Sequence, residues 1–259
     1  MLYIEGASGI SGDMTVGALL SLGASREKLD AVLKSLKLQD EFSYEITQKT
    51  SYGIAGTDFN VVLPHCHAHG HHHHHHHHQH RNLADVENII DSGEMSCRAR
   101  MIAKRAFGLV AEAEAKAHGK LVDEVHFHEV GAIDSIVDIV SAAVLFDDLG
   151  ESECIVTGLT EGSGTVMCAH GELPVPVPAV LNIAAATGIP LRTSNTKGEC
   201  VTPTGIALAA AFRTGGKLPQ AYRVSGVGTG IGKRDYGRPA ILRIMKIEEV
   251  QETGGGAVS

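Results

Sequence analysis

The stretch Leu2-Tyr-Ile-Glu-Gly-Ala-Ser-Gly-Ile-Ser-Gly-Asp-Met-Thr-Val-Gly-Ala-Leu-Leu-Ser-Leu22 decides the fold class. Leu2 to Ile4 reads as a short strand. Gly6, Gly9 and Gly12 punctuate a tight loop, and from Met14 apolar residues recur at Val16, Ala18, Leu19, Leu20 and Leu22, with Gly23 as the stop. Strand, glycine loop and helix in succession is an α/β opening. Such a loop aims backbone N–H groups and a helix dipole at one point, which suits an anion. Glycines that merely form a turn are an equal alternative. No Lys-Ser/Thr follows, so this is not a P-loop, and the spacing is not GxGxxG. Glu5 and Asp13 flank the loop and could share a divalent cation beside a phosphate.

Outward from this stretch, strands and helices alternate. A helix is predicted over 25–36, strands over 42–50 and 57–63, a helix from Asn82 with Asp85 as its capping partner, and a long helix over 96–118 closed by Gly119. Helices follow over 132–149, from Pro178 to Thr187, and from Pro203 to about Gly215, with strands near 154–157, 222–227 and 240–247. The stretches 158–172 and 193–202 read as loops, and the alternate prolines from Pro174 to Pro178 as extended chain. The expected class is α/β, with glycine-rich loops and one internal His-rich loop. The expected organisation is an N-terminal α/β segment (1–63), a flexible His-rich metal-binding loop (64–81), the remainder of the α/β domain (82–250) and a frayed tail or linker (251–259).

Composition narrows the function. The 259 residues carry 22 Lys plus Arg against 30 Asp plus Glu, a net charge of −8. That balance argues against nucleic acid and against an anionic membrane surface as partners. No apolar run approaches a membrane span of roughly 20 residues, and the first residues do not resemble a signal peptide. Five widely spaced cysteines without a CxxC give no zinc ribbon and no disulfide framework. A cytoplasmic protein is expected.

Two clusters carry chemistry. Twelve of the 16 histidines lie between positions 65 and 80. They are His65, His67, His69, His71, His72, His73, His74, His75, His76, His77, His78 and His80, with Cys66 among them. Imidazole and thiolate suit nickel, zinc or copper, and a loop without fixed geometry would store rather than select. A hydrophilic linker that binds metal incidentally is the blander reading. The second cluster is Val125-His-Phe-His-Glu-Val-Gly-Ala-Ile-Asp-Ser-Ile-Val-Asp138. In an extended segment His126 and His128 project to one side, and Asp134 and Asp138 share a helix face. These groups could ligate metal or supply a general base. The alternative is that the two aspartates form a solvated face. Smaller polar motifs are His170-Gly-Glu172, Thr202 and Thr204, which suit capping or a phosphate, and Lys233-Arg234, a basic lip or an ordinary turn.

Gly9-Ile-Ser-Gly-Asp-Met14, the histidine tract, His126-Phe-His-Glu-Val-Gly-Ala-Ile-Asp-Ser135, Pro174-Val-Pro-Val-Pro178 and Thr202-Pro-Thr-Gly205 occur in that order. Together they resemble the nickel insertion proteins of nickel-pincer cofactor biosynthesis, the LarC family. The resemblance implies a nickel insertase of chelatase or lyase type. It would act on pyridinium-3,5-bisthiocarboxylic acid mononucleotide and make the cofactor of lactate racemase-type enzymes, the recipient partners. It also implies CTP with Mg²⁺ or Mn²⁺, bound by a further C-terminal domain beyond residue 259. Forming a nickel–carbon bond displaces a ring proton and needs a base. His128 and Glu129 are the first candidates, with Asp13 and Asp134 as further catalytic carboxylates. Gly9, Ser11, Gly12, Thr202 and Thr204 are expected to bind the nucleotide, and the tract with His126 and His128 the metal. A nickel storage or delivery protein that needs a partner for the chemistry is the alternative. A metal-dependent phosphohydrolase ranks last, since no nucleophile or paired-metal motif is present.

Overall fold

The computed structural model describes residues 1–64, 81–124, 133–168 and 170–250. The opening stretch forms strand β1 (Leu2–Gly6) and helix α1 (Gly12–Ser21). Helix α2 (Arg26–Ser35) follows, capped by the Ser25 hydroxyl, which accepts from the Lys28 N–H at 3.2 Å. Strands β2 (Ser43–Ser51) and β3 (Ile54–Val62) form an antiparallel hairpin. Helix α3 (Leu83–Ser92) opens on the expected reciprocal box between Asn82 and Asp85. Helix α4 (Cys97–His118) is capped by Ser96 and ends on Gly119 in the left-handed conformation. Helix α5 (Ile133–Asp148) precedes strand β4 (Cys154–Ser163), a small hairpin of β5 (Thr165–Cys168) and β6 (Gly171–Pro174), and helix α6 (Pro178–Thr187). Strand β7 (Leu191–Lys197), helix α7 (Pro203–Phe212), and strands β8 (Tyr222–Ile231) and β9 (Ile241–Glu249) complete the fold.

Seven strands form one mixed sheet in the order β2-β3-β8-β9-β1-β4-β7. β1 is central, antiparallel to β9 and parallel to β4. Alternation along β1 sorts its side chains. Leu2 and Ile4 enter the main core, while Tyr3 joins Ile155 and Ile247 on the other face. The main core lies between the sheet and a helical layer centred on α5, whose residues from Ile139 to Phe146 are all buried. Phe146 of α5 stacks on Phe212 of α7 with ring centroids 4.1 Å apart. Each such aromatic buries enough surface to contribute about 1.5–3 kcal/mol.

Three expectations need correction. Residues 158–163 are not loop. They continue β4 between β1 and β7, and the Thr165–Pro174 region is a hairpin. Glycine misled the reading, because a Cβ on Gly162 would lie 1.9 Å from the Gly198 carbonyl oxygen. The glycine there permits close approach between chains. Residues 193–197 are the edge strand β7, polar because an edge faces solvent. The last strand pair also runs further than expected: β8 continues past 227 to Ile231 and takes in Gly226, Gly228 and Gly230. A Cβ on Gly228 would meet the Ala18 oxygen at 2.0 Å, and one on Gly230 the Met14 oxygen at 1.9 Å. β8 is thus smooth where α1 lies directly on its backbone.

Candidate functional site

The N-termini of α1 and α7 meet at one end of the sheet. Their preceding loops are tied by two hydrogen bonds. The Ile10 N–H donates to the Cys200 carbonyl (2.9 Å), and the Thr202 N–H donates to the Ile10 carbonyl (3.0 Å). Gly9 makes this possible. It has φ +94°, and a Cβ there would lie 2.1 Å from the Cys200 oxygen. Buried Glu161 on β4 braces the same loop. One carboxylate oxygen accepts the N–H groups of Gly162 (2.7 Å), Cys200 (2.7 Å) and Val201 (3.0 Å).

A cleft of about 300 Å³ opens over this junction, lined among others by Ser8, Ser11, Asp13, Asp134, Asp138 and Lys233. Gly12, Glu199, Thr202, Thr204, Arg234 and Tyr236 complete its polar wall. The Thr202 hydroxyl caps α7 by accepting from the Gly205 N–H (3.1 Å), and keeps its own proton to donate. Asp13 pairs with Lys233 at 3.3 Å, accepts the Met14 N–H at 2.8 Å and accepts the Ser11 hydroxyl. Arg234 pairs with the Glu199 carboxylate at 3.0 Å, and Tyr236 donates to the Glu199 carbonyl.

Asp138 has a strongly raised pKa. A Cβ on Gly12 would come within 2.4 Å of its Oδ2, so the start of α1 presses on this carboxyl. Its Oδ1 is buried without a hydrogen-bond partner among the described residues. Burial first, then the charges of Asp13 and Asp134, hold its pKa well above the ordinary range. Asp134, one turn earlier and more open to solvent, is also raised by loss of water, despite the Ser135 N–H that bonds it. Burial and the nearby Glu161 charge keep the Cys200 thiol protonated.

Of the sequence candidates, Ser11, Gly12, Asp13, Asp134, Thr202 and Thr204 line this one cleft, and Gly9 sits behind it. His126, His128, Glu129, Cys66 and the histidines from His65 to His80 lie outside the described residues. Glu5 does not join Asp13. It forms an ion pair with Arg243 on β9 at 2.6 Å, away from the cleft. Glu199, Tyr236 and Glu161 have no role in the sequence reading, which takes Asp138 with Asp134 as a ligand or base, or else as part of a solvated face; the Asp138 Oδ1 is in fact buried. Asp138 is detectable by its four-residue offset from Asp134; Glu161 carries no sequence signal. Among the described residues no three His, Cys, Asp or Glu side chains converge as a ready-made metal site. No helix among them is long and apolar enough to cross a membrane.

Hydroxyl and cationic donors and two carboxyls of raised pKa thus share one cleft of an α/β protein, a combination that suits an anionic ligand beside a proton-accepting or cation-holding group. The chain belongs to the nickel insertion protein family, whose model matches residues 2–257. It is 49% identical over 255 residues to the pyridinium-3,5-bisthiocarboxylic acid mononucleotide nickel insertion protein of Alkaliphilus metalliredigens, covering 96% of this chain and 60% of that protein. A protein of the same name from Acetivibrio thermocellus is 42% identical over 95% of this chain and 60% of its own length. The one from Akkermansia muciniphila is 41% identical over 97% and 61% respectively. The chain therefore spans about three-fifths of the relatives it matches. No solved structure matches it.

Proposed function

We propose that this chain inserts nickel into pyridinium-3,5-bisthiocarboxylic acid mononucleotide, with the cleft between α1, α5 and α7 as the site. The observation that carries the reading is the combination, in one cleft, of phosphate donors and perturbed carboxyls, in a chain nearly half identical to a relative named for that reaction. Ser11, Thr202, Thr204, the Gly9–Gly12 loop and Lys233 hold the nucleotide phosphate. Asp138 and Asp134 hold or move a proton beside the pyridinium ring, whose C–H is lost when carbon bonds nickel. Burial that raises these carboxyls makes them stronger proton acceptors than ordinary aspartates. His128 and Glu129 are the further candidates for the base, and Asp13 orients Lys233.

The finer readings stand with this proposal. The tract over 64–81 loads nickel through His65–His80 and Cys66, with His126 beside His128 as metal ligands nearer the chemistry. Residues 1–63 and 82–250 form the insertase fold, and 251–259 a tail. Lyase-type chemistry with CTP and Mg²⁺ or Mn²⁺, a lactate racemase-type recipient and a cytoplasmic setting follow from the resemblance. Steady-state insertion kinetics test the division of roles. Lys233→Ala should raise KM at least about tenfold with little change in kcat, while Asp138→Asn should lower kcat by about 10²-fold or more. An Asp138→Asn variant with unchanged kcat would remove Asp138 from the proton transfer.

A further inference from the structure

A second cavity of about 570 Å³ adjoins the cleft and shares Asp134, Glu199, Thr202, Thr204 and Arg234 with it. The two spaces differ in character. Ser8, Ser11, Asp13 and Lys233 belong to the cleft alone, whereas Val166, Leu173, Val177, Pro178 and Pro203 belong to the second cavity alone. This apolar wall follows from the fold. Val166 on β5 and Leu173 on β6 are paired directly across the hairpin, so their side chains share one face. Both pack against the main core and stay only partly buried. Val177 and Pro178 lie at the start of α6, and Pro203 at the start of α7.

Small-molecule pockets span roughly 300–1,000 Å³ and set a few placed polar groups against apolar walls. The cleft, at about 300 Å³, stands at the bottom of that range. A nucleotide with a doubly substituted ring needs the adjoining space. Arg234 stands where the two spaces meet. Its Nη1 donates to the Glu199 carbonyl at 3.0 Å and pairs with the Glu199 carboxylate at 3.0 Å, and its side chain is half-exposed. A guanidinium held in this way presents a fixed plane of N–H donors, the geometry that suits a carboxylate-like anion. The carboxylates of the second cavity are accompanied by cationic partners or histidine. Glu199 pairs with Arg234, and Oε2 of Glu114 lies 3.3 Å from Nε2 of His118.

We infer that the second cavity holds the pyridinium ring of the substrate while the cleft holds its phosphate, with Arg234 selecting a ring that carries an anionic thiocarboxylate. The inference rests on the nickel-insertion reading for the identity of its ligand. The flat ring lies against the Val166–Leu173 wall. Asp134, common to both spaces, stands beside it, where the proposed proton transfer needs a carboxyl.

Calorimetric titration of the whole 259-residue chain with three probes, without metal, tests this. The probes are pyridinium-3-carboxylic acid mononucleotide, its 3-carboxamide counterpart and ribose 5-phosphate. The carboxylate nucleotide should bind at least about tenfold more tightly than the carboxamide, and Arg234→Gln should remove that preference. Leu173→Gln should weaken both nucleotides at least about fivefold. It should leave ribose 5-phosphate binding unchanged, which also shows that the variant is folded. Lys233→Ala should weaken all three probes. A carboxylate nucleotide that binds no better than ribose 5-phosphate, or a preference that survives Arg234→Gln, would overturn the inference. The insertion reading fails separately. Arg234-dependent and Leu173-dependent binding in a chain that forms no nickel-bearing nucleotide would support the ring subsite and refute that reading. A nickel-bearing product from a chain whose probe binding ignores both substitutions would do the reverse.

Discussion

Asp138 has one carboxyl oxygen against Gly12 and the other buried without a partner among the described residues, and this makes its protonation state a property of the fold. The native state holds that proton more tightly than the unfolded chain, so ionising it costs stability. Stability on this account falls as pH rises from the ordinary aspartate value of 3.8 through the raised native value. Asp138→Asn should therefore raise the melting temperature at neutral pH, with the gain vanishing in acid, where the wild type is protonated. Thermal melts across that range check this, and an equal gain at every pH would show that charge is not the cause. Glu161 contributes through hydrogen bonding, because its carboxylate satisfies three backbone N–H groups. Glu161→Ala should cost about 2–3 kcal/mol, read by denaturant unfolding, since those donors would be left buried and unpaired. At this scale the sequence was only partly legible. Asp13, Asp134, Thr202 and Thr204 carried signals because motifs at helix starts have known spacing. Glu161 sits mid-strand among glycines, and only the pairing of β4 with its neighbours shows what it holds.

Helix α1 lies directly on the β8 backbone, and this contact positions the glycine loop. Gly230→Ala would set a Cβ 1.9 Å from the Met14 carbonyl oxygen, backbone against backbone. Neither side can yield cheaply, so the substitution should destabilise by about 2 kcal/mol or more. Gly108 in α4 is the control, since a Cβ there meets nothing within 4 Å. Gly108→Ala should stabilise by about 0.5–1 kcal/mol through helix propensity alone. Equilibrium unfolding of the two variants should give opposite signs, and a loss of stability in both would contradict this packing. The helices were legible because caps and apolar periods agree, as with Ser96, Asn82 and the glycine at 119. The glycine-bearing part of β4 and the polar edge strand β7 were not. Glycine and Ser/Thr/Asn are turn residues by composition, and only tertiary pairing makes them strand here.

In the molecule as a whole, a mixed sheet under a helical layer brings three helix starts and the Lys233-Arg234 lip to one end. The class was readable from the alternation of elements. The sheet order was not, since β9 returns beside β1 from more than 230 residues away. The division of labour between metal loading and insertion belongs at this scale. Deleting residues 65–80 should raise the nickel concentration needed for half-maximal rate and leave the rate at saturating nickel unchanged, because a tether raises local supply without joining the chemistry. A rate abolished even at saturation would place the tract in the active site. The central claim is that the cleft performs insertion and does not merely carry metal. Its most direct test is mass spectrometry of the nucleotide after incubating this chain with nickel and pyridinium-3,5-bisthiocarboxylic acid mononucleotide, with CTP and Mg²⁺ present. The account predicts a nickel-bearing nucleotide, lost in Asp138→Asn and strongly reduced in Lys233→Ala. An unchanged nucleotide, with nickel still on the protein, would contradict it.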